Sequence, residues 1–151
     1  MELRDITREA IVIREDASFK DAITRMVREQ TNSLLVVNEN AELSGEIGVS
    51  DLLDAIVPLS MDGDSVLSSL GTEKEFADAV KNASDILVSD FMNADIQSVT
   101  VGDSLISIAA IAITHGSARI PVVDQENRPI GVISRRGLKH ILAKFLGIKE
   151  D

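Results

Sequence analysis

Apolar residues recur at helical spacing in two long stretches of the chain and cluster in short runs elsewhere. After Ser18, a residue suited to cap a helix, Phe19, Ala22, Ile23, Met26 and Val27 fall at i, i+3, i+4, i+7 and i+8, the stripe of a half-buried helix. Leu34–Val37 is a compact apolar run and predicts a strand. A polar turn follows, then a weaker strand signal over Glu46–Val49. A short helix predicted over Ser50–Val57 carries Leu52, Leu53 and Ile56 and stops before Pro58.

The same order returns 86 positions later. Ser18 becomes Ser104, and the stripe becomes Leu105, Ile108, Ala109, Ala112 and Ile113. Val36, Val37, Gly45, Ile47 and Leu52 meet identical residues at Val122, Val123, Gly131, Ile133 and Leu138. The register holds without a gap from Ile13/Val99 to Ile56/Leu142, which marks an internal duplication. Each copy reads strand, helix, strand, strand, helix. The last two strands are too close for a crossover helix and predict a hairpin, Ile120–Val123 with Ile130–Ile133 in the second copy. The strand before each long helix lies near Ile11–Ile13 and Ser98–Val101. One copy of about 50 residues buries too little surface to be secure. The expected fold is therefore α/β (α+β), with two β-α-β-β-α repeats packed through their sheets in pseudo-twofold symmetry. The expected division is repeat 1 over 1–57, a connection over 58–90 and repeat 2 over 91–151.

The copies differ in two ways. The second long helix has Ile106 and Ile111 off its main stripe, where the first has Lys20 and Arg25. A helix apolar almost all round is buried on more than one side. A subunit interface, hence a homodimer, and internal burial under the connection both account for it. The connection starts loop-like, with Gly63 and Gly71. It then has a capping-box pattern, Thr72 with Glu75, before a helix carrying Phe76, Val80 and Ala83. Padding of the flank and contact with a partner are both open for it.

Composition removes several function classes. Four Phe and no Trp or Tyr leave no base-stacking platform for single-stranded nucleic acid. The formal net charge of −10 argues against nucleic acid as a partner. The absence of cysteine excludes disulfides and thiolate chemistry. No apolar run approaches the roughly 18–20 residues of a membrane span, and Met-Glu-Leu-Arg-Asp shows no signal peptide. The expected location is cytoplasmic. The charge is uneven: residues 1–114 hold 8 Lys or Arg against 21 Asp or Glu, and residues 115–151 hold 7 against 4. Two isolated histidines, His115 and His140, give no metal signature, Asp62 and Asp64 are too few for a calcium loop, and no catalytic triad order stands out.

The duplicated pattern resembles the cystathionine β-synthase (CBS) domain, here as a tandem pair of the kind called a Bateman module. The resemblance rests on Asp90-Phe91-Met92 followed by Val99-Thr100-Val101, on the run His115 to Asp124 containing Ser117-Ala118-Arg119-Ile120-Pro121-Val122-Val123, and on Gly131-Val132-Ile133-Ser134. It implies a regulatory, non-catalytic module that takes an adenosyl ligand (AMP, ADP, ATP or S-adenosylmethionine) in a cleft between the repeats, requires no cofactor, and pairs into a dimer. A regulated protein outside this chain is then the partner, and a ligand-free interaction scaffold is the alternative. In the family pattern a Ser or Thr, and an Asp three residues later, hold the ribose at the start of the last helix. Residues just before the Pro-Val-Val strand approach base or phosphate.

Carried over residue by residue, this makes Ser134 the ribose hydroxyl and places Ser117, Ala118 and Arg119 near base or phosphate. Thr100, Pro121 and Ile133 complete the expected lining. Arg135 and Arg136 stand in the first turn of the predicted helix, where cations oppose the helix dipole. A bound phosphate reverses that sign, and a solvated surface explains them without a ligand. Ser134 has a ligand-free reading as well, that of a plain N-cap. Two departures stand out. Gly137 occupies the position of the ribose Asp in repeat 2. In repeat 1 the acid is present as Asp51, but Gly48 replaces the hydroxyl and Ser33 stands where repeat 2 has Arg119. The expected working site is therefore centred on repeat 2, with phosphate contacts offsetting weak ribose recognition.

Overall fold

A computed structural model of the chain describes residues 5–57, 72–115 and 119–149. Its elements are β1 (Thr7–Arg8), β2 (Val12–Arg14), α1 (Phe19–Glu29), β3 (Ser33–Val37), β4 (Leu43–Gly48), α2 (Val49–Ile56), α3 (Glu73–Asn82), α4 (Val88–Phe91), β5 (Val99–Thr100), α5 (Leu105–His115), β6 (Arg119–Val123), β7 (Pro129–Ser134) and α6 (Arg135–Phe145). The fold is mixed α+β with two separate sheets. The chain divides into two compact units. The first unit holds Ile11–Asn40 and Ser44–Asp95; the second holds Met1–Ala10, Ala41–Leu43 and Ile96–Asp151.

In the first unit, β2 runs parallel to β3, with Val12, Ile13 and Arg14 opposite Leu35, Val36 and Val37, and β4 lies on the far side of β3. A parallel pair needs a crossover, and α1 supplies it. Ser18 accepts from the Asp21 N–H while the Asp21 carboxylate accepts from the Ser18 N–H, both at 3.1 Å, closing the capping box that starts this helix. Phe19, Ala22 and Met26 then face a core with Leu34, Val36, Ile47, Leu52 and Ile56. Thr72 caps α3 by accepting from the Glu75 N–H, and this helix brings Val80 against the same core while Ala83, just past its end, is buried in it. Its described half therefore pads the flank of the first unit.

The second unit has strand order β1-β7-β6-β5. The predicted hairpin forms: β6 and β7 are antiparallel, with Arg119 opposite Ser134 and Ile120 opposite Ile133. β5 runs parallel to β6, Val99 beside Val122 and Thr100 beside Val123, joined through α5. Ser104 caps α5 by accepting from the Ser107 N–H at 3.2 Å. Duplication extends to the turns. Asn38 and Asp124, 86 apart, each accept a 2.9 Å bond from the N–H two residues on, and Ala41 and Asn127, also 86 apart, adopt φ 64° and 63°.

The leaders of the two repeats exchange sheets, which no local pattern predicts. Thr7 and Arg8 pair antiparallel with Ile133 and Val132 of the second unit, where Ile6 is buried. Residues 86–93 dock in the first unit: Val88 N–H donates to Ala17 O, Ser89 N–H to Glu15 O, and Asn93 and Glu46 exchange both backbone bonds. The identical glycines of the repeat sit beneath these crossings. A Cβ on Gly131 would lie 2.6 Å from Arg8 O, and one on Gly45 would lie 2.7 Å from the Met92 sulfur.

The helix stripes need one correction. Val27 and Ile113, expected to be half-buried, are 70% and 83% exposed. At 100° per residue the i+8 position has turned about 80° from the first stripe residue, enough to leave the core. The off-stripe pair of α5 also divides: Ile111 packs against the core of the second unit, while Ile106 is 80% exposed. Internal burial thus accounts for Ile111 but not for Ile106.

Candidate functional site

The register of β6 on β7 builds the site in the second unit. Opposite residues of an antiparallel pair have Cβ atoms about 4.5–5.5 Å apart, so Arg119 stands beside Ser134. Ser134 ends β7 and caps α6, and the next two residues, Arg135 and Arg136, are exposed in its first turn. Arg119, Ser134, Arg135 and Arg136 therefore share one end of the hairpin, at the start of α6. The charge there is cationic on top of the positive end of the helix dipole.

Ser134 fills its ligand-free role: its Oγ accepts from the Gly137 N–H at 3.2 Å. That bond uses an acceptor lone pair and leaves the serine O–H to donate elsewhere, so capping and ligand contact are compatible. Ser134→Ala is expected to destabilise the ligand-free protein by about 1 kcal/mol, read as a lower urea midpoint. An unchanged midpoint would mean the cap contributes nothing.

The departures from the ribose pattern have physical accounts. A Cβ on Gly137 would lie 3.3 Å from both the Cβ and the carbonyl oxygen of Ile6. The crossing leader thus crowds the place where the acid would stand. In the first unit, Asp51 Oδ2 accepts from the Gly48 N–H at 2.7 Å, so the acid of repeat 1 serves its own helix start. Each repeat matches one half of the expected ribose pattern, the hydroxyl in one and the carboxylate in the other.

Other expected residues lie apart from this group. Thr100 is beside Val123, four strand positions from Arg119 and so roughly 13 Å along the sheet. Its N–H donates to Asp103 Oδ2 at 2.9 Å. Ile133 is fully buried in the core with Ile108, Ile120 and Ile141, and Pro121 is buried in β6. Ser117 and Ala118 lie outside the described residues. Their counterparts in the first unit, Thr31 and Asn32, line an open groove of ≈ 430 Å³ together with Ile23, Met26, Val27, Gln30, Val49 and Leu52. That groove was not foreseen. Its signal was the small polar run between α1 and β3, followed by an apolar residue, Val49, at the counterpart of Arg135. Among the described residues no group of three or more His, Asp or Glu is placed to hold a metal ion. No described helix is long and apolar enough to cross a membrane.

Comparison with known proteins bears on the family and the fold. An uncharacterized protein of Methanocaldococcus jannaschii, MJ1426, is 28% identical over 149 residues, covering 91% of this chain and 89% of that protein. The choline transport ATP-binding protein OpuBA of Bacillus subtilis is 27% identical over 132 residues, a match that covers 87% of this chain and spans 28% of that protein. Among solved structures, the CBS domain of a membrane protein from Sphaerobacter thermophilus superimposes with a TM-score of 0.73 at 29% identity, over 93% of this chain and 86% of that one. CBSX2, a CBS-pair protein of Arabidopsis thaliana, in complex with AMP gives a TM-score of 0.68 at 20% identity, over 96% and 98% of the two chains. The CBS domain pair of protein MJ0100, in complex with 5'-methylthioadenosine and S-adenosyl-L-methionine, gives 0.67 at 16% identity, over 94% and 99%. The last two likenesses establish the fold alone. The model of the CBS domain family matches twice, at residues 3–58 and 88–144, the two copies that the 86-residue offset separates, and the chain belongs to the CBS domain family as a tandem pair.

Proposed function

We propose that this chain is a regulatory module, not an enzyme, that binds a phosphate-bearing adenosine compound at the start of α6 and works as a homodimer. The observation that carries the ligand reading is the placement of Arg119 opposite Ser134, with Arg135 and Arg136 following in the first helical turn. A helix start favours a bound phosphate, and arginine side chains beside it add charge-assisted donors for that anion. The AMP held by CBSX2 and the adenosyl compounds held by MJ0100 supply the ligand class. The arginines favour AMP, ADP or ATP over S-adenosylmethionine and methylthioadenosine, which carry no phosphate. The homodimer reading is supported by the exposed apolar row of α5, Ile106 and Ile113. In this account the ligand stabilises one arrangement of the dimer, and a partner protein reads it.

The ligand-free scaffold has one observation in its favour, the glycine at position 137 crowded by Ile6. A thermal-shift screen separates the two. At a ligand concentration of 100 times Kd the native state gains about 2.7 kcal/mol, so millimolar AMP, ADP or ATP is expected to raise the melting temperature, and more than S-adenosylmethionine does. No response to any of them would favour the scaffold.

A further inference from the structure

We infer that the N-terminal leader positions the anion site: Ile6, docked against Gly137, holds the first turn of α6 in the form that takes phosphate, so that ligand and leader stabilise one another. This rests on the ligand reading above and adds a positioning residue far in sequence from the site. Two observations carry it.

The first is how the start of α6 is held. With Ser134 as the cap, Arg135 and Arg136 are the first two helical residues and Gly137 is the third. The two repeats fix this position differently. In the first unit the third residue of α2 is Asp51, whose carboxylate accepts from the Gly48 N–H at 2.7 Å, so that turn is held by its own side chain. In α6 the third residue is a glycine, which has no side chain for this and the greatest backbone freedom of any residue. Its N–H donates to Ser134 Oγ at 3.2 Å. Its open face is taken by Ile6: a Cβ on Gly137 would meet the Ile6 Cβ and carbonyl oxygen at 3.3 Å each, and Ile133 Cγ2 at 3.8 Å. Ile6 is 5% exposed and shares a core with Ile133 and with Ile141, one turn further along α6. The turn that carries both arginines therefore packs on the leader.

The second is how the leader reaches that place. β7 lies between β6 and β1. On one side Arg119 of β6 stands opposite Ser134; on the other, Thr7 and Arg8 stand opposite Ile133 and Val132, the two residues before Ser134. β1 is two residues long and β7 six, so the leader supports the end of β7 that carries the site. A chain end tied by so short a strand is among the first parts of a fold to open locally. Opening takes Ile6 away from Gly137 and leaves the last residues of β7 paired on one side. The docked leader thus belongs to the binding-competent form. Linkage makes the effect mutual: the factor that docking adds to ligand affinity is the factor that ligand adds to docking.

The test uses the whole chain with AMP as the probe. By isothermal titration, Ile6→Ala is expected to weaken AMP binding about fivefold or more, the lower end of the usual coupling between two sites. Ile6→Val keeps the branched carbon against Gly137 and should bind AMP as the parent does. Ile108→Ala, the same truncation elsewhere in that core, controls for lost stability and should also bind as the parent does. Circular dichroism verifies that each variant is folded at the titration temperature. Hydrogen exchange of the parent requires no variant: AMP is expected to slow exchange across residues 5–10 and to leave α3 unchanged. Equal AMP affinity in Ile6→Ala and the parent, equal weakening in Ile6→Ala and Ile108→Ala, or bound AMP with no change in exchange at residues 5–10 would each overturn the inference and leave the ligand reading standing. A parent that takes no AMP would sink both.

Discussion

Gly131→Val is expected to lower the stability of this protein by about 1–3 kcal/mol, the usual range for forcing extra volume into a packed site. The new Cβ would lie 2.6 Å from the carbonyl oxygen of Arg8 and against the Thr7 side chain. Arg8 belongs to β1, held in register opposite Val132, and Ile6 just before it is buried in the core of the second unit. The backbone cannot yield without loosening that pairing. Each kcal/mol corresponds to about 2–4 °C in melting temperature for a chain of this size, well within calorimetric reach. Gly102→Ala is the control, since a Cβ there meets nothing within 4 Å. A Gly131→Val protein that melts with its parent would show that β1 does not cross at this point.

The second large effect concerns the ligand. Replacing Arg135 and Arg136 together with alanine is expected to weaken AMP binding about 10- to 150-fold, the equivalent of one charged hydrogen bond of roughly 1.5–3 kcal/mol. Circular dichroism of the ligand-free double variant verifies that its fold is intact. Weaker AMP binding by a folded double variant identifies an anion site and not a structural defect. Undiminished AMP binding in the double variant would place the phosphate elsewhere.

Much of this architecture was legible because duplication multiplies weak local signals. The caps at Ser18, Ser104 and Ser134 and the hairpin of β6 with β7 all follow from residue type and spacing. What escaped depends on contacts between distant residues. The first crossing strand is two residues long, and nothing in Thr7-Arg8 names a partner more than 120 positions away. Gly45 and Gly131 were recognisable as a matched pair, yet their reason appears only when Met92 and Arg8 pass over them. Thr100 was placed in the lining with Arg119 by resemblance, whereas its parallel register sets it beside Val123, at the other end of β6 from Arg119. Ile133 was assigned to the lining by resemblance, and the geometry buries it in the core. Val27 and Ile113 belong to the stripe by counting and leave it by angle. The resemblance to the family supplied the ribose pattern, but the crowding of Gly137 by Ile6 required coordinates.

Isothermal titration of the protein with AMP and with adenosine tests the central claim most directly, since the two differ by the phosphate alone. The account predicts that AMP binds at least about tenfold more tightly, a difference of roughly 1.4 kcal/mol, and that most of this difference disappears when Arg135 and Arg136 are both alanine. Equal affinity for the two, or no heat from either at millimolar concentration, would contradict it.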